Sequence, residues 1–488
     1  MKRKRKSIAY PTKVGNKDEH IEQMGPVITD LPKFICQIIL LKLPTRSILI
    51  CKCVCKTWRV LISDPEFAKM HFAQAEAYPM VRPWGPTRVS RTLYLVEPED
   101  EFSLAIKDKD YLSDCDYGSL KFDKCHFRMN LAKYKLPLRD AEKVMNNDDN
   151  VNLMRNRKHG SKRMPCIKIR PNDHKYNVVN SCNGFLCLSE PIFNDPVVVC
   201  NPVTGEFMHL PEASKRENQK VTIHCGIGFS PKANRYKVVR IFDQGSPHPI
   251  TMAEAHTLGS SSWKLIGSCP CSSYNQLAFP TYIEGALYWF YYDPLKYVIL
   301  SFDLDSENFQ SLPPLPFQRE QYRNVSMGVL GNCLCVCDAH GIHINLWVLK
   351  NHGAKRSWRR KISIETDHFG FDGERWPSGL YKPMKYCKDG GLLMFNYRTN
   401  ALIYHHPKTH RFIYLKLRGI KSNFSAISHV PSFISLKDIL VGDDVNILNI
   451  NSRCAQMKLL GETRALFLEE EIADLASDFF TSDSSDED

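Results

Sequence analysis

The sequence predicts a small all-α module followed by an all-β domain of β-propeller type. Three observations carry this expectation. Residues 28–72 hold three short segments of helical pattern, each opened by a helix-start signal. After residue 180 a strand–turn–strand unit recurs at spacings of 102 and 103 residues. No run of 18 or more apolar residues occurs, so no membrane span is expected.

At 488 residues with 43% apolar content the chain exceeds one small domain, and two or three units are expected. The opening "MKRKRKS" is basic with no apolar stretch behind it, so a secretory signal is not expected and an intracellular protein of the nucleus and/or cytoplasm is. Lys2 to Lys6 would suit a nuclear-import receptor, although short basic blocks are frequent by chance. The last twenty residues, Glu469 to Asp488, carry nine acids and neither Lys nor Arg, so the body before them is more basic than the chain's +12. Because Lys and Arg are spread along the chain rather than gathered with aromatics on one element, a solvated surface is favoured over a nucleic-acid site. The acidic, serine-rich tail reads as a solubilising segment, with a phosphorylation target as the alternative.

Eighteen cysteines in a reducing compartment read as buried small hydrophobes, and no CxxC pair supplies metal-ligand spacing. In "CKCVCKTWRVL" (residues 51–61), Cys51 and Cys55 fall on one face of a helix and Cys53 on the other, so the trio cannot converge on a metal. In "CLCVC", Cys333, Cys335 and Cys337 alternate as a core row on a strand.

The first helix is expected after Asp30 as N-cap and Pro32 in the first turn, with Phe34, Ile38 and Leu41 at helical spacing. Pro44 ends it, Thr45 can cap the next, and Asp64-Pro65 repeats the device for a third. On the second helix Ile50, Val54, Trp58 and Leu61 form a wide apolar stripe, flanked by Cys51, Cys55 and Ile62, with Lys52, Lys56 and Arg59 outside it. So short a helical unit encloses little core, so the stripe is expected to pack and to dock at once.

"DLPKFICQIILLKLPTRSILICKCVCKTWRVLISDPEFAKMHF" resembles an F-box: a Leu-Pro opening, an apolar first helix ending in Leu-Pro, a Val-Cys-Lys-x-Trp core and a Ser-Asp-Pro-x-Phe close stand in order. Gln37 departs from the pattern, where an acidic residue is common. The resemblance implies docking on a Skp-type adaptor and, through it, a cullin-RING ubiquitin ligase. The residues assigned to that contact are Leu31, Pro32, Ile35, Ile39, Leu43, Pro44, Ile50, Val54, Cys55, Trp58 and Leu61.

The repeat consists of "VVVCNPVTGEFMHLP" (197–211), "ILSFDLDSENFQSLPPLP" (299–316) and "ALIYHHPKTHRFIYLKL" (401–417), in which Asn201, Asp303 and His406 correspond, as do Phe207, Phe309 and Phe412. Each unit reads as a hairpin and follows a glycine-led strand, from Gly184, Gly285 and Gly391. A further such strand starts at Gly331, and Trp263 and Trp358 mark two lesser echoes. Four-stranded blades of about 40–50 residues, two per period, fit this spacing; an irregular β-sandwich is the alternative. In order, "NSCNGFLCL", "VCNPVTGEFMHLP", "GIGFSPKANRYKVVRI", "SSSWKLIG", "INLWVLKNHGAKRSWRRKI" and "PSFISLKDIL" resemble the kelch-like F-box-associated domain of plant F-box proteins. The organisation read from this is a disordered basic arm at 1–27, the helical module at 28–72, a variable connection with room for first β elements at 73–177, the substrate-recognition domain at 178–438 and a C-terminal extension at 439–488. Residues 178–438 are expected to fold without residues 1–75.

GxSxG, GxxxxGK, HExxH and Rossmann patterns are missing from the sequence, and His405-His406 reads as a surface pair at a hairpin turn. The resemblance implies a non-catalytic adaptor without a cofactor, holding an unidentified protein substrate near a ubiquitin-charged enzyme; neither a membrane nor a nucleic-acid partner is expected. A nuclear nucleic-acid-binding protein and a propeller-fold enzyme are the competing classes.

Overall fold

The computed structural model describes residues 31–85, 88–98, 129–137 and 175–450, apart from breaks at 192, 214–222, 245–249, 272–275, 293–295, 311, 318–323, 353–354, 366–378, 409–411, 416, 418–419, 421–422 and 443–444. Asp30, the basic arm and the acidic tail lie outside the described residues. No helix among the described residues is long and apolar enough to cross a membrane.

The helical module has four helices, α1 (Lys33–Leu41), α2 (Thr45–Val54), α3 (Lys56–Ile62) and α4 (Pro65–Gln74), where three were expected. The difference arises at Cys55, whose extended backbone (φ −149°, ψ 164°) ends α2, while its Sγ accepts the Trp58 N–H at 3.4 Å and caps α3. The single stripe through Ile50, Val54, Trp58 and Leu61 is thereby cut in two. Asp64 caps α4 as expected, accepting the Glu66 N–H at 3.0 Å with Pro65 at the first turn. Thr45 does not cap α2; Pro44 holds that position and Thr45 is the first helical residue.

Twenty-six strands follow, and among the described residues they form six sheets. Blade one contains β1 (Tyr78–Gly85), β2 (Arg88–Val89), β3 (Thr92–Pro98) and β4 (Met129–Lys135). Blade two contains β5 (Asn177–Cys182), β6 (Phe185–Ser189), β7 (Pro196–Asn201) and β8 (Glu206–His209); blade three β9 (His224–Ser230), β10 (Arg235–Gln244), β11 (Ile250–Thr257) and β12 (Lys264–Ser268). Blade four contains β13 (Ala278–Ile283), β14 (Ala286–Tyr292), β15 (Tyr297–Asp303) and β16 (Asn308–Gln310); blade five β17 (Asn324–Leu330), β18 (Cys333–His340), β19 (His343–His352) and β20 (Lys355–Glu365). Blade six contains β21 (Tyr381–Tyr386), β22 (Leu392–Asn396), β23 (Ala401–His405) and β24 (Phe412–Leu415). The chain then returns: β25 (Phe424–His429) pairs antiparallel with β1, from Tyr78↔His429 to Pro83↔Phe424, and closes the ring. β26 (Leu448–Asn449) adds an edge to blade two through β8.

The three equivalent hairpins are the third and fourth strands of blades two, four and six, so the period of about 100 residues is two blades. At the first two turns Asn201 Oδ1 accepts the Val203 N–H and Asp303 Oδ1 accepts the Ser306 N–H, at 2.9 and 2.7 Å. The tryptophan echoes stand two blades apart: Trp263 Nε1, just before β12, donates to the Pro211 carbonyl and Trp358 Nε1, in β20, to the Pro313 carbonyl, each tying the outer edge of its blade to the segment that follows the preceding blade. Of the cysteine row expected on β18, Cys335 and Cys337 are buried and Cys333 is half-buried, while Leu334 and Val336 between them are buried too because both faces of that strand are covered; the fourteen cysteines among the described residues are all free. His405 departs from expectation: it is buried at the end of β23 with its ring 5.0 Å from that of Phe412.

The ring begins in residues 78–135, upstream of the 178–438 span expected to suffice. Moreover, the helices and blades one and two share one core, in which Leu40, Ile48, Leu61, Ile62 and Phe67 meet Leu93, Leu95, Tyr134, Leu186 and Leu188. The C-terminal "PSFIS" segment completes it from the far end: Asn201 Nδ2 donates to the Ser432 and Ile434 carbonyls, and Phe433 packs edge-on to Phe67 and His71. Gly184 is required here, since its φ is +90° and a Cβ would lie 2.2 Å from that of Ser432.

Candidate functional site

Two regions of the molecule stand out, an exposed apolar face and an axial cavity. The first is the outer side of the helical module. Among the described residues eleven large hydrophobic side chains are exposed, and eight of them, Leu31, Phe34, Ile38, Ile39, Ile50, Val54, Val60 and Met70, lie on or beside these four helices. Helix α1, "KFICQIILL", is apolar almost all round because it serves two surfaces. Cys36 and Leu40 are buried in the shared core, while Phe34 and Ile38 face solvent.

Of the residues assigned to docking from the sequence, Leu31, Pro32, Ile39, Ile50 and Val54 are exposed, and Ile35, Leu43, Pro44, Cys55 and Trp58 are half-buried. Leu61 is buried and unavailable, because the break at Cys55 turns α3 so that Leu61 and Ile62 face the core. Trp58 also packs against that core. Phe34, Ile38 and Val60 were not assigned; the all-round apolarity of α1 was the signal for the first two, and Val60, 72% exposed, becomes visible only once α3 is a separate helix.

The outer face is held in a fixed relation to the propeller. Glu97 of β3, buried, accepts the Thr45 hydroxyl at 2.7 Å and the Thr45 N–H at 3.3 Å, so a blade-one carboxylate binds the N-terminus of α2. Burial holds that carboxyl above its ordinary range, against the lowering pull of the Thr45 bonds. Gln74 Nε2 donates to the Leu41 carbonyl at 2.7 Å, and Lys385 of β21 joins Glu76 at 2.5 Å just after α4.

The second region is the axis. The innermost strands are β5, β9, β13, β17, β21 and β25. All of these except β9 line a cavity of about 740 Å³, whose wall also includes Ala75–Ala77 and the turns at Asn183, Glu284 and Asn332. Its wall combines partly exposed apolar residues such as Ile283, Val329 and Ile427 with Lys382 and Lys385. Lys382 is half-buried, and burial lowers its ammonium to about 8.

Comparison with known families matches residues 136–436 to the F-box associated beta propeller domain and residues 28–70 to the F-box domain. The chain belongs to the F-box-associated β-propeller family. An Arabidopsis thaliana F-box/kelch-repeat protein is 22% identical over 84% of this chain and 97% of its own length. An Arabidopsis thaliana F-box protein is 26% identical over 52% of this chain and 69% of its own, and a putative F-box/kelch-repeat protein of the same plant is 25% identical over 68% and 75%. In this chain the F-box helices and the F-box-associated propeller are one packed body, joined through the core that Phe67 and Leu95 share.

Proposed function

We propose that this protein is the substrate-recognition subunit of an SCF-type ubiquitin ligase, non-catalytic in itself, whose F-box helices dock on a Skp-type adaptor and whose propeller binds the protein to be ubiquitinated. The observation that carries this reading is the concentration of exposed large hydrophobics on the F-box helices. Monomeric surfaces seldom gather apolar side chains in this way unless a partner covers them. Helix-borne hydrophobics flanked by Lys52, Lys56 and Arg59 suit a helical partner with an apolar groove and an acidic rim. Such an adaptor does no chemistry. It raises the effective concentration of substrate beside the charged enzyme, and a rigid joint between docking face and propeller serves that task because it fixes direction as well as distance.

The experiment is a pull-down of purified Skp-type adaptor by the full chain and by Val54→Asp. Retention by the unmutated chain and loss by the variant support the reading; equal retention would sink it. Residence in the nucleus and/or cytoplasm is part of the same proposal, to be read from a fluorescent fusion with and without neutralisation of Lys2 to Lys6.

A further inference from the structure

We propose that the axial channel is a binding site for an organic carboxylate, anchored by the ammonium of Lys382. The cavity of about 740 Å³ lies within the range of pockets that enclose small organic ligands, about 300–1,000 Å³. Its charged groups are not equivalent. Lys385 is neutralised by Glu76 at 2.5 Å and lies over the Tyr78 ring at 3.8 Å, so it is already committed. Glu284, at the β13–β14 turn, and Lys388, just after β21, are exposed and also line the cavity. Lys382, on the innermost strand of blade six, makes neither an ion pair nor a hydrogen bond among the described residues.

A cation walled in by protein loses hydration, and without a counter-ion nothing replaces it. The lowered ammonium reports that loss, yet at about 8 it remains mostly charged near neutrality. An entering carboxylate supplies the missing partner through a charge-assisted hydrogen bond. Inorganic anions would leave the partly exposed Ile283, Val329 and Ile427 facing water, whereas an amphipathic acid covers them. The same chemistry is offered by a free small acid and by the terminal carboxylate of a polypeptide entering the channel. The site does not depend on the adaptor reading, and its test uses no adaptor.

Lys382 can be probed in the full chain with trinitrobenzenesulfonate, an aromatic anion that arylates free amines, its products being located by peptide mass spectrometry. Lys382 should react at least about tenfold faster than the exposed Lys133 and Lys232, through its lowered ammonium and the anion's affinity for the channel. About 10 mM 4-phenylbutyrate, but not its amide, should slow that reaction at least about fivefold if the acid binds in the low-millimolar range. A peptide ending in a free phenylalanine carboxylate, compared with its amide, separates the sources. Protection by the acid peptide alone assigns a chain terminus, protection by phenylbutyrate assigns a small acid, and protection by both assigns a site open to either. Protection by neither overturns the proposal. Equilibrium dialysis of labelled probe gives a second measurement: Lys382→Arg should keep binding and Lys382→Met, with an unchanged melt, should lose it; full binding by Lys382→Met would also overturn the site.

Discussion

Ser181 on the innermost strand of blade two and His429 on the closing strand of blade one are joined by a 2.9 Å hydrogen bond between Oγ and Nδ1. The bond ties blade two to the strand that closes the ring, between residues 248 positions apart in sequence. Burial keeps the imidazole neutral, with its pKa lowered to about 3. In the unfolded chain the ring takes up a proton near 6.5, so acid favours unfolding: the stability from this group is full above that value and is lost as pH falls toward 3. At pH 5 the loss amounts to about 2 kcal/mol. Thermal melts at pH 7 and 5 should show a smaller pH-induced drop for His429→Gln than for the unmutated chain, even if the variant begins less stable.

Glu97 carries the opposite sign. Its folded carboxyl titrates above the ordinary 4.5, so the folded state holds the proton more tightly, and the stability from this group is greatest below 4.5 and is lost as pH rises through the raised value. Glu97→Gln, which can still accept the Thr45 hydroxyl, should flatten that slope and leave stability at pH 7 unchanged or higher. Glu97→Ala strands the buried Thr45 groups and should cost about 1–3 kcal/mol, measured by urea unfolding.

Cysteine substitutions should separate capping from the other thiols. Cys55→Ser keeps an acceptor at the N-cap of α3 and should be neutral or slightly stabilising, whereas Cys55→Ala should cost about 0.5–1 kcal/mol. Cys53→Ser, at an exposed position, should leave the melt unchanged.

On the F-box helices, docking and folding can be told apart by burial. Val54→Asp and Val60→Asp, at positions 64% and 72% exposed, should abolish adaptor capture with unaltered melting. Ile48→Ala and Phe67→Ala, both fully buried, should destabilise the whole body by about 2–5 kcal/mol. Trp58→Ala should do some of each, because the ring packs on the shared core.

A fragment of residues 178–438 omits β1, β3 and β4 and leaves β25 without its partner, exposing Leu186 and Leu188. It should melt lower and bind more hydrophobic dye than residues 31–450, by circular dichroism and dye fluorescence. An equal melt would show that blades two to six close without blade one.

By itself the sequence determined what depends on local chemistry. Asp64-Pro65 starts a helix wherever it stands, the turn residues Asn201 and Asp303 close hairpins through their own side chains, and the spacing of those hairpins counts blades because each blade packs on its neighbours in turn. Only the tertiary structure decided which apolar residues were spare. Val54 and Leu61 look alike in a helical pattern, yet one faces solvent and the other the core, because a backbone break at Cys55 changes the direction of the chain between them. The bond of Thr45 to Glu97, the closure of β1 by β25 and the gathering of Lys382 with Ile427 around the axis depend on residues dozens to hundreds of positions apart. Periodicity carries no information about such contacts, since which distant surfaces meet is settled by the burial of the whole ring and not by any stretch within it.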